Sequence, residues 1–423
     1  MSNQWDTLGP ARVSNDEVWR ETKLIFATSL LIFLVTITLG FLNVFTSGAL
    51  PRWQLLVHLH SATLGWLTLS AFGATVWLFT AERAVSDAYA NRVRWLARVL
   101  IGTFIGLIAS FGIAFSQGGD TVYRLAAFGP LAALAILVTA AFFLQQLRRL
   151  PVVTTAHLLT AAGFFVLGVA VTFATVMALG RAGVVGVPSF ASEGHVFGIL
   201  AFQLLVTTGI IEWLVVRDRG RWTLAGALQG GLGVLLGLLV PIFVIPLVAG
   251  VPRGPLGVVL LLGIMATNVL FALVFLARVG VSALRATPLT ADVEAWVFFA
   301  TLWFVVVAFS FPLRIVFDDA AWWMVFNAHA AMVGIVTNLL FGVIAARTSR
   351  SDAGDSLVQT AAMWVINAGV VVFVGVFIVS GSRHGAVLMG FGLILGVGWG
   401  LASIRETRSD PNPSAPADVE TTD

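Results

Sequence analysis

The side chains best suited to bind a metal or a metal cofactor in this sequence are its histidines. The chain has 423 residues and contains no cysteine, which excludes disulfides, iron–sulfur clusters, thiolate metal sites and haem attachment through cysteine. Metal chemistry must therefore use histidine, carboxylate or methionine. The six histidines are His58, His60, His157, His195, His329 and His384.

Two of the histidines lie in segments that repeat one another. HLHSATLGWLTLSAFG around His60 aligns with NAHAAMVGIVTNLLFG around His329, and both segments are apolar enough to lie inside a lipid bilayer. Small residues at matching positions let membrane helices approach closely, so similar packing is predicted beside each histidine. The other aligned pairs are Ala62 with Ala331, Gly65 with Gly334, Thr68 with Thr337, Phe72 with Phe341 and Gly73 with Gly342.

The chemistry open to such a pair is haem ligation. A neutral imidazole is an axial ligand for haem iron, and two imidazoles from facing helices give a low-spin centre suited to electron transfer. Ionisable side chains inside a bilayer are costly and usually functional. The sequence therefore predicts that His60 and His329 hold one haem, in preference to the alternative of hydrogen bonds between helices. His58 lies on the opposite helix face from His60; metal ligation stays open for it, and an interfacial hydrogen bond is the favoured role.

The elements that carry these histidines are predicted transmembrane helices. With 58% hydrophobic and 11% charged residues, the composition is typical of a polytopic membrane protein. A window of about 20 residues, the length that crosses a bilayer, predicts an all-α protein with twelve spans. These are 22–46, 56–80, 95–117, 123–147, 155–180, 194–216, 224–249, 255–279, 293–317, 323–346, 358–380 and 385–404.

Positive charge predicts the orientation. Of the 24 Lys and Arg, 18 lie in the termini and the even-numbered loops, and six lie one each in the odd-numbered loops. The positive-inside rule then places both termini in the cytoplasm and the histidines of spans 2, 6 and 10 near the outer face of the plasma membrane. The predicted domains are a cytoplasmic segment 1–21, a membrane domain 22–404 and a disordered cytoplasmic tail 405–423. Anionic lipid, not nucleic acid, is the expected partner of the basic residues.

The segments around His60 and His329 resemble those of a known family of membrane proteins. LHSATLGW resembles the second span of subunit I of the haem-copper oxidases, especially the C-type oxidase and nitric oxide reductase branch, and NAHAAMVG resembles that family's tenth span. The resemblance implies the family's pseudo-threefold bundle and a non-covalent haem, b-type, held by His60 and His329. It also implies an arginine beside the haem propionates, for which Arg383 in the last outer loop is the candidate, with Arg52 and Arg124 as alternatives at the same level. Implied partners are an electron-donor protein or second respiratory subunit and a diatomic gas, O2 or NO.

The sequence departs from the family at its other metal sites. Asn327 stands where the family has the ligand of its catalytic haem, and no histidine between 195 and 329 is present to bind copper. His195 lies near the family's sixth-span metal ligand, so metal binding, with Glu193 orienting the ring, and a polar contact between helices both stay open. No carboxylate lies near the middle of a span. Neither a copper site, a second haem nor proton pumping is therefore expected.

The sequence predicts a haem protein of electron transfer or gas handling and leaves its catalytic residues unassigned. If it is an enzyme, it is an oxidoreductase of the oxidase or nitric oxide reductase type. The alternative is a haem-free transporter or scaffold, which the two prolines of LLVPIFVIPLVAG in span 7 suggest because interrupted helices often line solute paths.

Overall fold

The computed structural model describes residues 16–80, 86–116, 122–181, 191–216, 223–248, 255–286, 288, 292–310, 321–348 and 357–406. These ranges are helical apart from short turns and contain no β-strand. The helices α1 to α12 correspond in order to the predicted spans. Their bounds are α1 Asp16–Phe45, α2 Arg52–His60 continued by Ser61–Thr68 and Leu69–Thr80, α3 Asp87–Ser116, α4 Val122–Leu147, α5 Thr155–Arg181, α6 Ala191–Val215, α7 Leu224–Val248, α8 Pro255–Phe275 continued by Leu276–Gly280 and Val281–Ala283, α9 Val293–Ser310, α10 Ala321–His329 continued by Ala330–Thr337 and Asn338–Thr348, α11 Leu357–Ser380 and α12 Ala386–Glu406.

The chain is an all-helical, multi-pass membrane protein. Eleven helices of the described ranges are long and apolar enough to cross a bilayer, and in α7 the apolar stretch is the shorter Leu224–Leu239. The backbone of α7 stays helical through Pro241 and Pro246, so the interruption suggested by these prolines is not seen there. Helix α1 begins at Asp16, inside the predicted segment 1–21. Most of the predicted tail 405–423 lies outside the described residues.

Three helices form the centre of the bundle. In the most apolar stretch of α2, α6 and α10, 83% of the residues are buried, against 61% or less in the other described spans. The three contact one another, and the remaining helices surround them in chain order, with α12 packed against α1. Each pair of central helices, with the outer helices beside it, borders one sector of the bundle, and these sectors are named the α2–α6 gap, the α6–α10 gap and the α10–α2 gap. The predicted histidines lie on the three central helices.

Buried ion pairs fasten the helices at the end of the bundle opposite the histidines of α2, α6 and α10. Arg278 of α8 donates to Glu212 of α6 at 2.7 Å and to Gln229 of α7 at 2.8 Å. Arg94 of α3 donates to Glu21 of α1 at 2.9 Å. A buried carboxylate is costly unless it is paired, so each arginine offsets the cost of burying its partner and fixes the relative position of two helices.

A polar cluster joins α9, α10 and α11 inside the bundle. Asn338 and Asn367 donate to each other's side-chain oxygen at 3.0 and 2.9 Å. The indole nitrogen of Trp303 donates to Asn367 at 2.8 Å. All three side chains are buried, and in a bilayer no water replaces a lost partner. The cluster therefore sets the register of these three helices.

Replacing Asn367 with leucine is expected to lower the free energy of unfolding by about 1–2 kcal/mol, because the indole N–H of Trp303 and the side-chain oxygen of Asn338 lose their partner in an apolar interior. Thermal unfolding in detergent, followed by the fraction of monodisperse protein, measures the effect. The control is Val371→Ala, since Val371 is 60% exposed on the same helix. Equal unfolding temperatures for the two variants would contradict a structural role for the cluster.

Candidate histidine sites in the helix gaps

The repeat predicted around His60 and His329 is present in the backbone. In both helices the α-helix ends at the histidine, a π-helix follows over Ser61–Thr68 or Ala330–Thr337, and the α-helix then resumes. Thr68 and Thr337 each donate a hydroxyl hydrogen bond to the carbonyl five residues before, at 2.9 Å. Long π-helical turns are rare and occur often at functional sites. The two segments share one unusual backbone and therefore one local architecture.

His60 and His329 have the same surroundings. His60 Nδ1 donates to the carbonyl of Leu56 at 2.7 Å, and His329 Nδ1 donates to that of Val325 at 2.8 Å. Because a carbonyl can only accept, the proton of each neutral imidazole is on Nδ1 and the lone pair is on Nε2. A hydrogen bond to one ring nitrogen orients the other for a metal. Both rings are therefore set up as metal ligands through Nε2.

An aromatic ring from the following helix contacts each of these two histidines. Phe111 of α3 stacks on His60 with ring centroids 3.9 Å apart, and Phe373 of α11 meets His329 edge-on at 4.7 Å. These phenyl rings fix the imidazole planes and keep the surroundings apolar.

His58 and His195 share a second arrangement. His58 Nδ1 donates to the carbonyl of Thr36 in α1 at 2.9 Å, and His195 Nδ1 donates to that of Ala170 in α5 at 3.0 Å. In each case the acceptor belongs to the helix that precedes the histidine in the chain. The hydrogen bond predicted for His58 is confirmed. In both His58 and His195 the hydrogen bond at Nδ1 leaves the lone pair on Nε2, as in His60 and His329.

The four histidines form two pairs across two gaps. His58 contacts α1 through Thr36 and His329 contacts α11 through Phe373, which assigns both to the α10–α2 gap. His60 contacts α3 through Phe111 and His195 contacts α5 through Ala170, which assigns both to the α2–α6 gap. The joint ligation of one haem by His60 and His329 stays a prediction. By these contacts, each of the two borders the same gap as a different histidine.

Arg383 lies at the histidine end of the α10–α2 gap. Its Nη1 donates to the carbonyl of Ser47 at 3.0 Å, in the turn between α1 and α2. The guanidinium lies directly on Gly48, where any side chain would displace it, and Gly48 has a positive φ of 83°. Glycine is therefore needed at this turn for two reasons. The arginine predicted to contact a propionate is thus fixed beside the gap that contains His58 and His329.

A small cavity lies in the α6–α10 gap, and two amide side chains form part of its wall. The cavity has a volume of about 30 Å³ and is lined mainly by apolar residues, with Gln203 of α6 and Asn268 of α8 in its wall. Gln203 donates to the sulfur of Met332 at 3.0 Å. Neither amide atom of the buried Asn268 has a hydrogen-bond partner among the described residues. Asn327 accepts from Ser310 at 3.2 Å.

The other residues singled out in the sequence contribute less to these histidine sites. His157 is buried against Phe79 and Trp213, and His384 is exposed in the loop before α12, where its ring contacts the Ser382 hydroxyl. The side chain of Glu193 lies outside the described residues. Within the described part of the chain, no three His, Asp or Glu side chains come together as a metal site.

Sequence reasoning missed the pairing of the histidines and the amide-lined cavity. The HLH spacing showed that His58 and His60 face opposite ways, which is the signal that they belong to different gaps. Asn268, a lone amide in the apolar run GIMATNVLFAL, could have been found because unpartnered polar groups are costly in a bilayer.

Comparison with known proteins gives no family assignment. No protein-family model matches the chain, and no curated protein matches it.

Proposed function

We propose that this chain is a haem-binding membrane protein that acts in electron transfer or in the handling of a diatomic gas. The observation that carries the proposal is the pair His58 and His329. Each neutral imidazole is oriented by a main-chain carbonyl on Nδ1, and both lie in the α10–α2 gap. Two such nitrogens are the donor set of a six-coordinate, low-spin haem.

The structure favours His58 over His60 as the partner of His329. His58 and His329 contact α1 and α11, which border one gap, whereas His60 and His195 contact α3 and α5, which border another. His60 stacks on Phe111 of α3, whereas His58 donates to the carbonyl of Thr36 in α1. We therefore assign the axial positions of this haem to His58 and His329.

The residues around the gap fit a haem in further respects. The carboxylates of a haem need a cation, and Arg383 offers a guanidinium at the histidine end of the gap. Gly40 of α1 lies beside His58, since a Cβ on it would be 3.5 Å from the imidazole ring. When bound, haem supplies a one-electron redox couple. His58 and His329 would hold the haem, and Arg383 would neutralise a propionate.

The resemblance to haem-copper oxidase subunit I supports the same proposal. Three central helices with histidines at one end agree with the bundle that this resemblance implies. The departures at Asn327 and in α7 favour a relative without a copper site or proton pumping. We place this protein in the plasma membrane, with both termini in the cytoplasm. An electron-donor protein or a second respiratory subunit is the partner that such a centre needs.

Reduced-minus-oxidised absorption spectra of the purified protein test the proposal. We expect a sharp low-spin haem signal in the wild type, and we expect the contribution of this haem to be lost in His329→Ala and in His58→Ala, because a six-coordinate iron needs both nitrogens. His384→Ala is the matched control, since His384 is exposed in a loop.

A colourless preparation from cells supplied with haem would overturn the proposal and favour a haem-free transporter or scaffold. The full wild-type signal in His329→Ala would overturn the ligand assignment. Addition of carbon monoxide or nitric oxide to the reduced protein then separates gas handling from electron transfer, because only an iron with an open or displaceable position binds the gas.

A further inference from the structure

The second histidine pair repeats the construction of the first. His60 corresponds to His329: each donates Nδ1 to the carbonyl four residues earlier. Each also contacts a phenylalanine of the next helix. His195 corresponds to His58, because each donates Nδ1 to a carbonyl of the helix that precedes its own. The α2–α6 gap is thus bordered by the same two kinds of oriented imidazole as the α10–α2 gap.

The Nε2 atoms of this second pair have no hydrogen-bond partner among the described residues, where only Nδ1 of His60 and of His195 is bonded. Both histidines are half-buried. Polar atoms in the interior of a membrane protein are almost always partnered. Two oriented imidazole nitrogens in one apolar gap therefore indicate a ligand that accepts a lone pair from each.

We propose that the α2–α6 gap binds a second haem, with His60 and His195 as its axial ligands. The inference rests on the proposed function, since it takes the ligand of the α10–α2 gap to be haem and extends it to a gap of the same construction. It changes the sequence prediction of one haem to two. The proposal also gives His195 a partner ligand. The sequence left the role of His195 open because it offered no such partner.

The third gap marks the limit of the repeat. In the α6–α10 gap the position that matches His58 is Asn327, whose oxygen accepts from Ser310, and the polar side chains beside the cavity are the amides Gln203 and Asn268. An amide does not replace imidazole as a haem ligand. Two haems per chain, not three, are therefore expected, and both lie at the same end of the bundle. Electrons passing between them would move parallel to the membrane surface.

Haem stoichiometry tests the second site on the full-length protein. The pyridine haemochrome assay, divided by protein from amino-acid analysis, is expected to give two haems per chain in the wild type. His195→Ala and His60→Ala should each give one haem, with the His58–His329 haem retained. His58→Ala should also give one, and the double variant His58→Ala/His195→Ala should give none. His384→Ala is expected to keep two.

A ligand exchange keeps the test open if the alanine variants fold poorly. His195→Met retains an axial donor, and a His/Met pair raises the reduction potential relative to bis-histidine. A redox titration of this variant should show one wave moved to higher potential and one unchanged.

The outcomes separate the two proposals. One haem per chain that is lost in His58→Ala but retained in His60→Ala and His195→Ala would overturn the second site and leave the proposed function intact. One haem lost in both His60→Ala and His329→Ala, but not in His58→Ala, would overturn both pairings and support the sequence prediction. Protein without any haem would overturn the proposed function and the second site together.

Discussion

Replacing Gly334 with valine is expected to lower the free energy of unfolding by about 2–3 kcal/mol, because it places bulk where α10 and α9 touch. A Cβ at Gly334 would lie 2.5 Å from Cγ of Trp303 and 2.9 Å from its Cβ. The indole cannot move away freely, since its nitrogen donates to Asn367. Thermal unfolding in detergent, monitored by the loss of monodisperse protein, measures the change.

Gly263→Val is the matched control, because a Cβ at Gly263 meets nothing within 4 Å. The repeat supplies a second test at Gly65, where a Cβ would overlap the side chain of Ile32 in α1. Gly65→Val should therefore also destabilise the protein. Unfolding temperatures for Gly334→Val and Gly65→Val as high as that of the control would show that these close approaches are not required.

Replacing Arg278 with methionine is expected to cost about 3–5 kcal/mol of stability, because it leaves a buried carboxylate without its partner. The side chains of Arg278 and Glu212 are 15% and 4% exposed, and the bond between them is 2.7 Å long. The same substitution removes the donor to Gln229. The ends of α6, α7 and α8 would then lose their common anchor.

The double variant Glu212→Gln/Arg278→Met distinguishes the lost charge pair from lost packing. It removes the uncompensated carboxylate, so it should be more stable than Arg278→Met alone. Arg285→Met serves as the control, since Arg285 is exposed in the turn after α8. A double variant no more stable than Arg278→Met would mean that packing of the long side chain, not charge, holds these helices.

The repeat was the most informative part of the sequence. The aligned glycines predicted close packing beside His60 and His329, and the structure has such contacts at Gly65 and Gly334. The aligned threonines, Thr68 and Thr337, make equivalent hydrogen bonds. Hydrophobic stretches likewise predicted all the described helices, because the length of a span is set by the bilayer rather than by tertiary detail.

The pairing of the histidines could not be predicted in the same way. Equal depth made His60 and His329 look like partners, but depth along a helix says nothing about which gap a side chain borders. That depends on the rotation of α2 and α10 about their own axes and on the order of the surrounding helices. The π-helical segments add to the difficulty, because a helical wheel drawn with a uniform α-helix period does not apply beyond His60 or His329.

The contact between α12 and α1 has a consequence for biosynthesis. Chains are made from the amino terminus, and their first parts can fold before the last are synthesised. The α2–α6 gap is complete once α6 has been inserted in the membrane. The α10–α2 gap combines α1 and α2 with helices made at the end of translation, so it closes only when the ribosome has finished. The two gaps are therefore expected to be completed in sequence, since a chain that ends before α10 contains the helices that border the first gap but lacks α10 and α11 of the second.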